Sequence, residues 1–378
     1  MLLLAVILAI FVYGMTAATL GTVLPNLSER FQLTPSQNGG IAFAQALGLI
    51  LASLAVGPLL DVEGKKVGLV LGLAFISVAL LALPRCKGYR SLLFLFLLLG
   101  IGGGIVVTGA NALANDVSST HSASVLNLVN LFFGLGGFVT PFIAANLFAK
   151  NWVRLCYTIA IFSVLALVFE AVTHMPGPTG ASSFVLADAG TVLGKPILFM
   201  LGLFLFLYVS CEVGVWNWLP RHLIVQGIPE SKALNILSVG FALGLLAGRL
   251  LVTPVLIRVP ALTVMLAASI AMAVTTYLML RTKSPKLTLI SVALAGISMA
   301  PVFPTTLAVV GNAFPRLTST AIGIAITFGW AGLAVSSRII GAIAGGDPLR
   351  IRKALMLIPI SAVLMVILSL AIQATMRG

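Results

Sequence analysis

Apolar residues run through this chain in long blocks, broken at near-regular intervals by short clusters of charged, glycine and proline positions. A bilayer crossing takes about 20 apolar residues. Twelve such blocks can be laid down, at 2–24, 38–60, 67–83, 92–114, 123–147, 154–173, 196–219, 233–257, 261–281, 287–310, 319–341 and 353–375. Most connections between them are short. The long one runs from His174 to Lys195 and holds Pro176, Gly177, Pro178, Gly180, Ser182 and Ser183, the composition of a linker. The pattern predicts an all-α membrane protein: a six-helix bundle over 1–173, a cytoplasmic linker over 174–195 and a second six-helix bundle over 196–378.

The two halves repeat each other. At a shift of 195, Tyr13 falls on Tyr208, Leu24-Pro25 on Leu219-Pro220, Ser124 on Ser319, and Phe133-Gly134 on Phe328-Gly329. At 196, Ala46-Leu47-Gly48-Leu49 falls on Ala242-Leu243-Gly244-Leu245, and Pro58 on Pro254. One match would mean little in an apolar chain, but a near-constant shift across three helix pairs indicates duplication.

Composition agrees with the blocks. Hydrophobic residues make up 60% and charged residues 8%, with a mean hydropathy of +1.16. A soluble chain of this length needs far more charge on its surface. No span carries the charged start and small-residue cleavage site of a secretory signal. The net charge of +13 lies mainly in loops, where anionic lipid headgroups are the expected counter-charge. Nucleic acid is not an expected partner. Cys86, Cys156 and Cys211 are scattered and suggest no disulfide or metal framework.

The stretch from Tyr208 to Leu223 concentrates the chemistry. At helical spacing Tyr208, Glu212 and Trp216 share one face, with Asn217 beside them. An ionisable group in a span costs up to about 2.5–3.5 kcal/mol on insertion scales and normally faces a cavity or a partner. One acid, two aromatic platforms and an amide fit a polar ligand. The alternative is a packing role, with the aromatics forming an interfacial belt. Trp218 and His222, nearer the helix end, read as belt and rim. The repeat places Ala17, Gly21 and Thr22 opposite Glu212, Trp216 and Asn217, so this equipment belongs to one half only.

Further candidates are Tyr13, Gln45, Asn130 and Trp330, as ligand contacts or as interhelical glue and core. Glu212 is the one acid this reading places deep in a span. Met299 to Pro304, Met-Ala-Pro-Val-Phe-Pro, should interrupt the tenth helix and free carbonyls. The Gly102-Gly103-Gly104 run reads as close helix packing, since no Lys-Ser/Thr follows it.

Duplicated six-helix halves resemble the major facilitator superfamily. After the second span, Gly57-Pro58-Leu59-Leu60-Asp61-Val62-Glu63-Gly64-Lys65-Lys66 resembles that family's loop signature, with Val62 where an Arg is usual. Asn127, Asn130, Phe133-Gly134, Gly136-Gly137 and Pro141 in the fifth span look like the fucose–galactose–glucose:proton symporter branch. The Tyr-x-x-x-Glu-x-x-x-Trp of the seventh span and Gly248-Arg249 of the eighth fit the same branch. The resemblance implies substrate binding at mid-depth between halves that rock to alternate access. It also implies a cytoplasmic gate at Asp61, Gly64, Lys65 and Lys66, which Arg249 joins as a latch. The branch's fucose permease carries acids in its first and fourth helices. Here those positions fall at about Gly21 and Val107, which leaves Glu212 as the coupling candidate.

The expected function is secondary active transport of a small polar, sugar-like substrate coupled to a proton, or to sodium. The expected setting is the bacterial inner membrane, with the chain monomeric among lipids. Alternatives are export of amphiphiles or drugs, and sugar uniport. An enzyme is not expected: His121, His174 and His222 lie near helix ends and form no ligand or catalytic set. No cofactor is expected. Orientation carries a conflict. The resemblance puts both termini and the Asp61 loop inside, whereas the positive-inside rule favours the opposite face, which holds Arg30, Arg85, Lys87, Arg90, Lys150, Arg154 and others. The loop signature sets the orientation adopted here.

Overall fold

The computed structural model describes residues 1–118, 120–148, 151–177, 186–282, 284–344 and 350–377. Of the expected linker, residues 178–185 lie outside this set. Within a bilayer, every backbone N–H and C=O must be satisfied inside the segment, so apolar spans fold as helices. Among the described residues twelve helices are long and apolar enough to cross. They are α1 (Leu2–Phe31), α2 (Ser36–Glu63), α3 (Lys65–Arg85), α4 (Tyr89–Val117), α5 (Ser122–Ala144) and α6 (Trp152–Val172). Then come α7 (Pro196–Val225), α8 (Lys232–Val255), α9 (Ala261–Arg281), α10 (Pro285–Ala313), α11 (Thr318–Ala344) and α12 (Ile351–Met376). A short helix, Leu186–Leu193, precedes α7.

All twelve crossings fall where the apolar blocks predict them. Two helices outrun the prediction. Helix α1 continues through Pro25 to Phe31 and stops at Gln32, whose φ of 51° is left-handed. Helix α7 passes through Pro220 to Val225. Proline removes one helix hydrogen bond but does not end a membrane helix when the freed carbonyl finds other company. The Thr34 side chain caps the next helix in a reciprocal box with Gln37. Helix α10 is interrupted at Ala300-Pro301, inside the predicted segment. Helix α8 contains a π-helical stretch, Ile236–Ala242, that the sequence did not announce.

The chain forms two compact units. One comprises Met1–Ser122, Val129–Val192 and Gly311–Thr327; the other comprises Ala123–Leu128, Leu193–Val310 and Phe328–Gly378. Each therefore takes in a short segment from the opposite half of the sequence. In the first unit, Gly48 of α2 and Gly100 of α4 bring backbones so close that a Cβ at either would strike Leu97 or Gln45 main chain. In the second, Gly244 and Gly296, each 196 residues further on, do the same between α8 and α10. Small residues permit such approach where no hydrophobic drive exists between helices. The repeat is thus built into the packing of two pseudo-symmetric bundles.

Candidate functional site

In the first unit the polar interior gathers on α4. Asn130 of α5 donates to Asn111 Oδ1 at 2.8 Å, and Asn111 donates to the Val107 carbonyl at 2.7 Å. Tyr13 is buried, 5.2 Å from the Phe133 ring and against Gly103. Gln45 is buried on α2, where its carbonyl lies over Gly100. The Tyr13 and Asn130 side chains thus meet one helix, and Gln45 approaches it through its main-chain carbonyl.

In the second unit Tyr208 is fully buried, its ring 6.5 Å from Phe303 in the interrupted part of α10. Glu212, half-buried one turn on, and Arg249 of α8 both act electrostatically on the Tyr208 hydroxyl. Trp216, a further turn on, sits edge-to-face on Phe241 at 5.2 Å. Phe241 belongs to the π-helical stretch, a feature that often marks functional sites. Trp216 is 36% exposed and Asn217 is exposed, so both can be reached. Trp330 of α11 is half-buried, with its Nε1 buried and unpaired. The sequence reading missed Phe241 and Phe303. Arg249, read as a latch, is buried, and its charge acts on Tyr208.

The signature loop is built in the first unit. Gly64 takes a φ of 92°, which only glycine adopts freely, and joins α2 directly to α3. Lys65 is buried and pairs with Asp116 of α4 at 2.8 Å. Lys66 donates to the Thr173 carbonyl at 3.0 Å, at the end of α6. Among the described residues Asp61 meets no cation. Its carboxylate accepts the Ser319 and Thr320 N–H groups, each at 2.9 Å, and the Thr320 hydroxyl at 2.7 Å. An anion at a helix N-terminus is favoured by the free amides and the helix dipole, so Asp61 caps α11. In the second unit Ser124, at the start of α5, donates to the Thr253 carbonyl of α8 at 2.8 Å. The repeat thus places a helix start against the end of a neighbouring helix in both units, with a carboxylate in only one.

Besides Asp61, a second acid is buried, near the end of a span. Glu170 of α6 is fully buried, and both its carboxylate oxygens lack a hydrogen-bond partner; Lys66 is the charged group that acts on it. The sequence reading did not single it out. No group of metal-ligating side chains occurs among the described residues.

Twelve crossings and a duplicated bundle with a polar interior within each unit define a polytopic membrane protein. The sequence model of the Major Facilitator Superfamily matches residues 6–337, and the chain belongs to that family. Among relatives, the glucose/mannose transporter GlcP of Bacillus subtilis (strain 168) is 26% identical over 354 residues, 88% of this chain and 85% of that protein. Bypass of stop codon protein 6 of Saccharomyces cerevisiae is 24% identical over 275 residues, covering 65% of this chain but only 55% of the yeast protein. Among solved structures, the E. coli fucose:proton symporter FucP superposes with a TM-score of 0.85 at 17% identity over 98% of both chains. The proton:xylose symporter XylE superposes at 0.79, with 14% identity over 97% of this chain and 94% of that one. The chain thus has the fold of sugar:proton symporters.

Proposed function

We propose that this protein is a secondary active transporter that carries a small, polar, sugar-like substrate by alternating access, with a proton as the coupled ion. The observation that carries the reading is the succession of Tyr208, Glu212 and Trp216 on consecutive turns of α7, with Trp216 packed edge-to-face on Phe241. Trp216 offers a flat face for the apolar side of a sugar ring, with Trp330 as a second. Asn217 can satisfy a sugar hydroxyl in the second unit, and Gln45 and Asn130 are polar candidates within the first; each buried polar group left unpaired costs about 1–3 kcal/mol. Tyr208 completes the contacts of the second unit, Tyr13 is the matching tyrosine of the first, and Glu212 holds the coupled proton. Asp61, Gly64, Lys65 and Lys66 form the gate on the cytoplasmic side, and the chain works as a monomer among lipids of a bacterial inner membrane. That GlcP is a glucose/mannose transporter, and FucP and XylE are fucose:proton and proton:xylose symporters, supports a sugar substrate.

The test is a thermal-shift screen of purified protein against hexoses, pentoses and amphiphiles. A ligand at about 100 times its dissociation constant stabilises by about 2.7 kcal/mol. A sugar should raise the midpoint of the wild type but not of Trp216→Ala, itself still folded. Stabilisation by amphiphiles and by no sugar would assign the fold to export instead.

A further inference from the structure

Helices α8 and α9 follow one another in the chain, yet both pack along α10 and scarcely on each other. The gap between them is a groove of about 380 Å³ within the second unit. Leu251 and Val255 of α8 stand on one wall, Ala267 and Ala271 of α9 on the other, and Pro301 of α10 in the floor. Two features of the sequence open it. Gly248 lets α8 settle onto α10, since a Cβ there would strike Ala300 and the Ile297 carbonyl. On α9 the lining positions Thr263, Ala267 and Ala271 recur every four residues and are all small.

The groove has the length of one leaflet. Thr263 and Ala271 are separated by about 12 Å, at a rise of about 1.5 Å per residue. The hydrocarbon of one leaflet is about 15 Å deep, half of about 30 Å. One end of the groove lies where α8 stops at Val255 and α9 starts at Ala261. The other lies at the interruption of α10, Ala300-Pro301, midway along that helix.

A cation stands at the mouth. Arg258 lies in the α8–α9 connection, next to Val259, which lines the groove. It is exposed, and its guanidinium has no ion pair, hydrogen bond or ring contact among the described residues. The exposed Thr263 hydroxyl is equally unengaged. The described acids of this unit lie elsewhere, Glu212 midway along α7 and Glu230 just ahead of α8, at its opposite end.

We infer that the groove holds one acyl chain of an anionic phospholipid, from the leaflet on which the α8–α9 connection opens, with the phosphate on Arg258 and Thr263. The walls match hydrocarbon, the length matches one leaflet, and a guanidinium fork with a hydroxyl matches phosphate oxygens. A zwitterionic headgroup carries a cation of its own beside the phosphate, so the net anionic form is preferred. A second copy of the chain fits less well. A helix about 10–12 Å across takes roughly twice this volume or more over the same length. A two-fold contact would also bring two unpaired arginines to one level.

The test uses full-length purified protein in detergent and no transport substrate, so its failure is distinct from failure of the sugar-transport reading. A phosphatidylglycerol with a photoreactive acyl chain is added, and its adducts are mapped by peptide mass spectrometry. They should concentrate within residues 248–271. Unlabelled dioleoylphosphatidylglycerol should displace the probe about fivefold better than dioleoylphosphatidylcholine, the scale of one arginine near an anionic surface. Arg258→Gln should bring that ratio toward one. Arg90→Gln, at an exposed cation of the first unit, should leave it unchanged. Ala267→Phe, which fills the groove, should remove the adducts while the unfolding midpoint stays near that of the wild type. Adducts spread evenly over α7 and α12, equal displacement by the two lipids, or adducts that survive Ala267→Phe would overturn the site. A dimer whose groove takes no adducts would overturn it too, and would give this face to a second copy.

Discussion

Asp61 and Thr320 are joined twice: one carboxylate oxygen accepts both the Thr320 hydroxyl, at 2.7 Å, and its backbone N–H, at 2.9 Å. The other oxygen takes the Ser319 N–H, and all three contacts are buried. Gly57, one turn earlier on α2, allows this approach, because a Cβ there would strike the Thr320 backbone. The loop signature therefore acts through a helix start and not through an ion pair of Asp61 with a cation. The cations beside it are occupied elsewhere, Lys65 on Asp116 and Lys66 on Thr173.

Removal of this cap should weaken the observed conformation. Asp61→Ala strands two buried amides, each worth about 1–3 kcal/mol when left unpaired. Thr320→Val removes one hydroxyl and keeps both amide bonds, a loss of about 0.5–1.5 kcal/mol. Thermal unfolding should show a clearly larger fall for Asp61→Ala than for Thr320→Val. Equal falls would mean that the amide contacts contribute little.

Glu170 should behave in the opposite way. Its carboxylate is buried with no hydrogen-bond partner, and a buried charge without compensation costs several kcal/mol. Glu170→Met, apolar and of similar length, should raise the unfolding midpoint, and Glu170→Gln should raise it less. A gain on the order of 1 kcal/mol corresponds to about 2–4 °C for a unit of this size. A fall with both variants would show that the carboxylate is held by a partner, with Lys66 the first candidate. Lys66→Met would then produce a similar fall.

The crossings were legible because a bilayer imposes one length and one composition on each of them. The repeat was legible because duplicated packing needs small residues at matched places, as Gly48 and Gly244 show. Helix ends were less so. Pro25 and Pro220 looked like stops, yet α1 and α7 run through them. The partners of the gate could not be read locally, since Asp61 and Thr320 stand 259 residues apart. One signal was present: the repeat aligns Ser124 with Ser319, and both prove to be helix starts held by a neighbouring helix. Phe241 and Phe303 were hidden because a phenylalanine in an apolar span carries no mark that separates a stacking partner from filler. The burial of Arg249 was not legible either, because a lone cation in an apolar span does not show which polar groups of other helices face it.

The last prediction concerns coupling. Glu212 is half-buried in the middle of α7, one turn from Tyr208 and one turn from Trp216, on the face that also meets the field of Arg249. An acid there can take a proton in one conformation and release it in another, which links the gradient to the substrate. Glu212→Gln fixes the group in a neutral form of the same shape. Substrate binding and exchange down a gradient should persist. Uphill accumulation should vanish: one proton moving across about 100 mV is worth about 2.3 kcal/mol, or about fiftyfold accumulation. The dependence of uptake on external pH should vanish with it. The measurement is uptake of a labelled substrate into proteoliposomes with and without an imposed proton gradient, run beside an equilibrium exchange assay. Concentrative uptake that survives in Glu212→Gln would remove Glu212 from coupling. If that uptake then followed a sodium gradient, the coupled ion would be sodium held by other oxygens. Wild-type uptake that follows neither gradient would make the protein a uniporter, with Glu212 a hydrogen-bonding contact to the substrate.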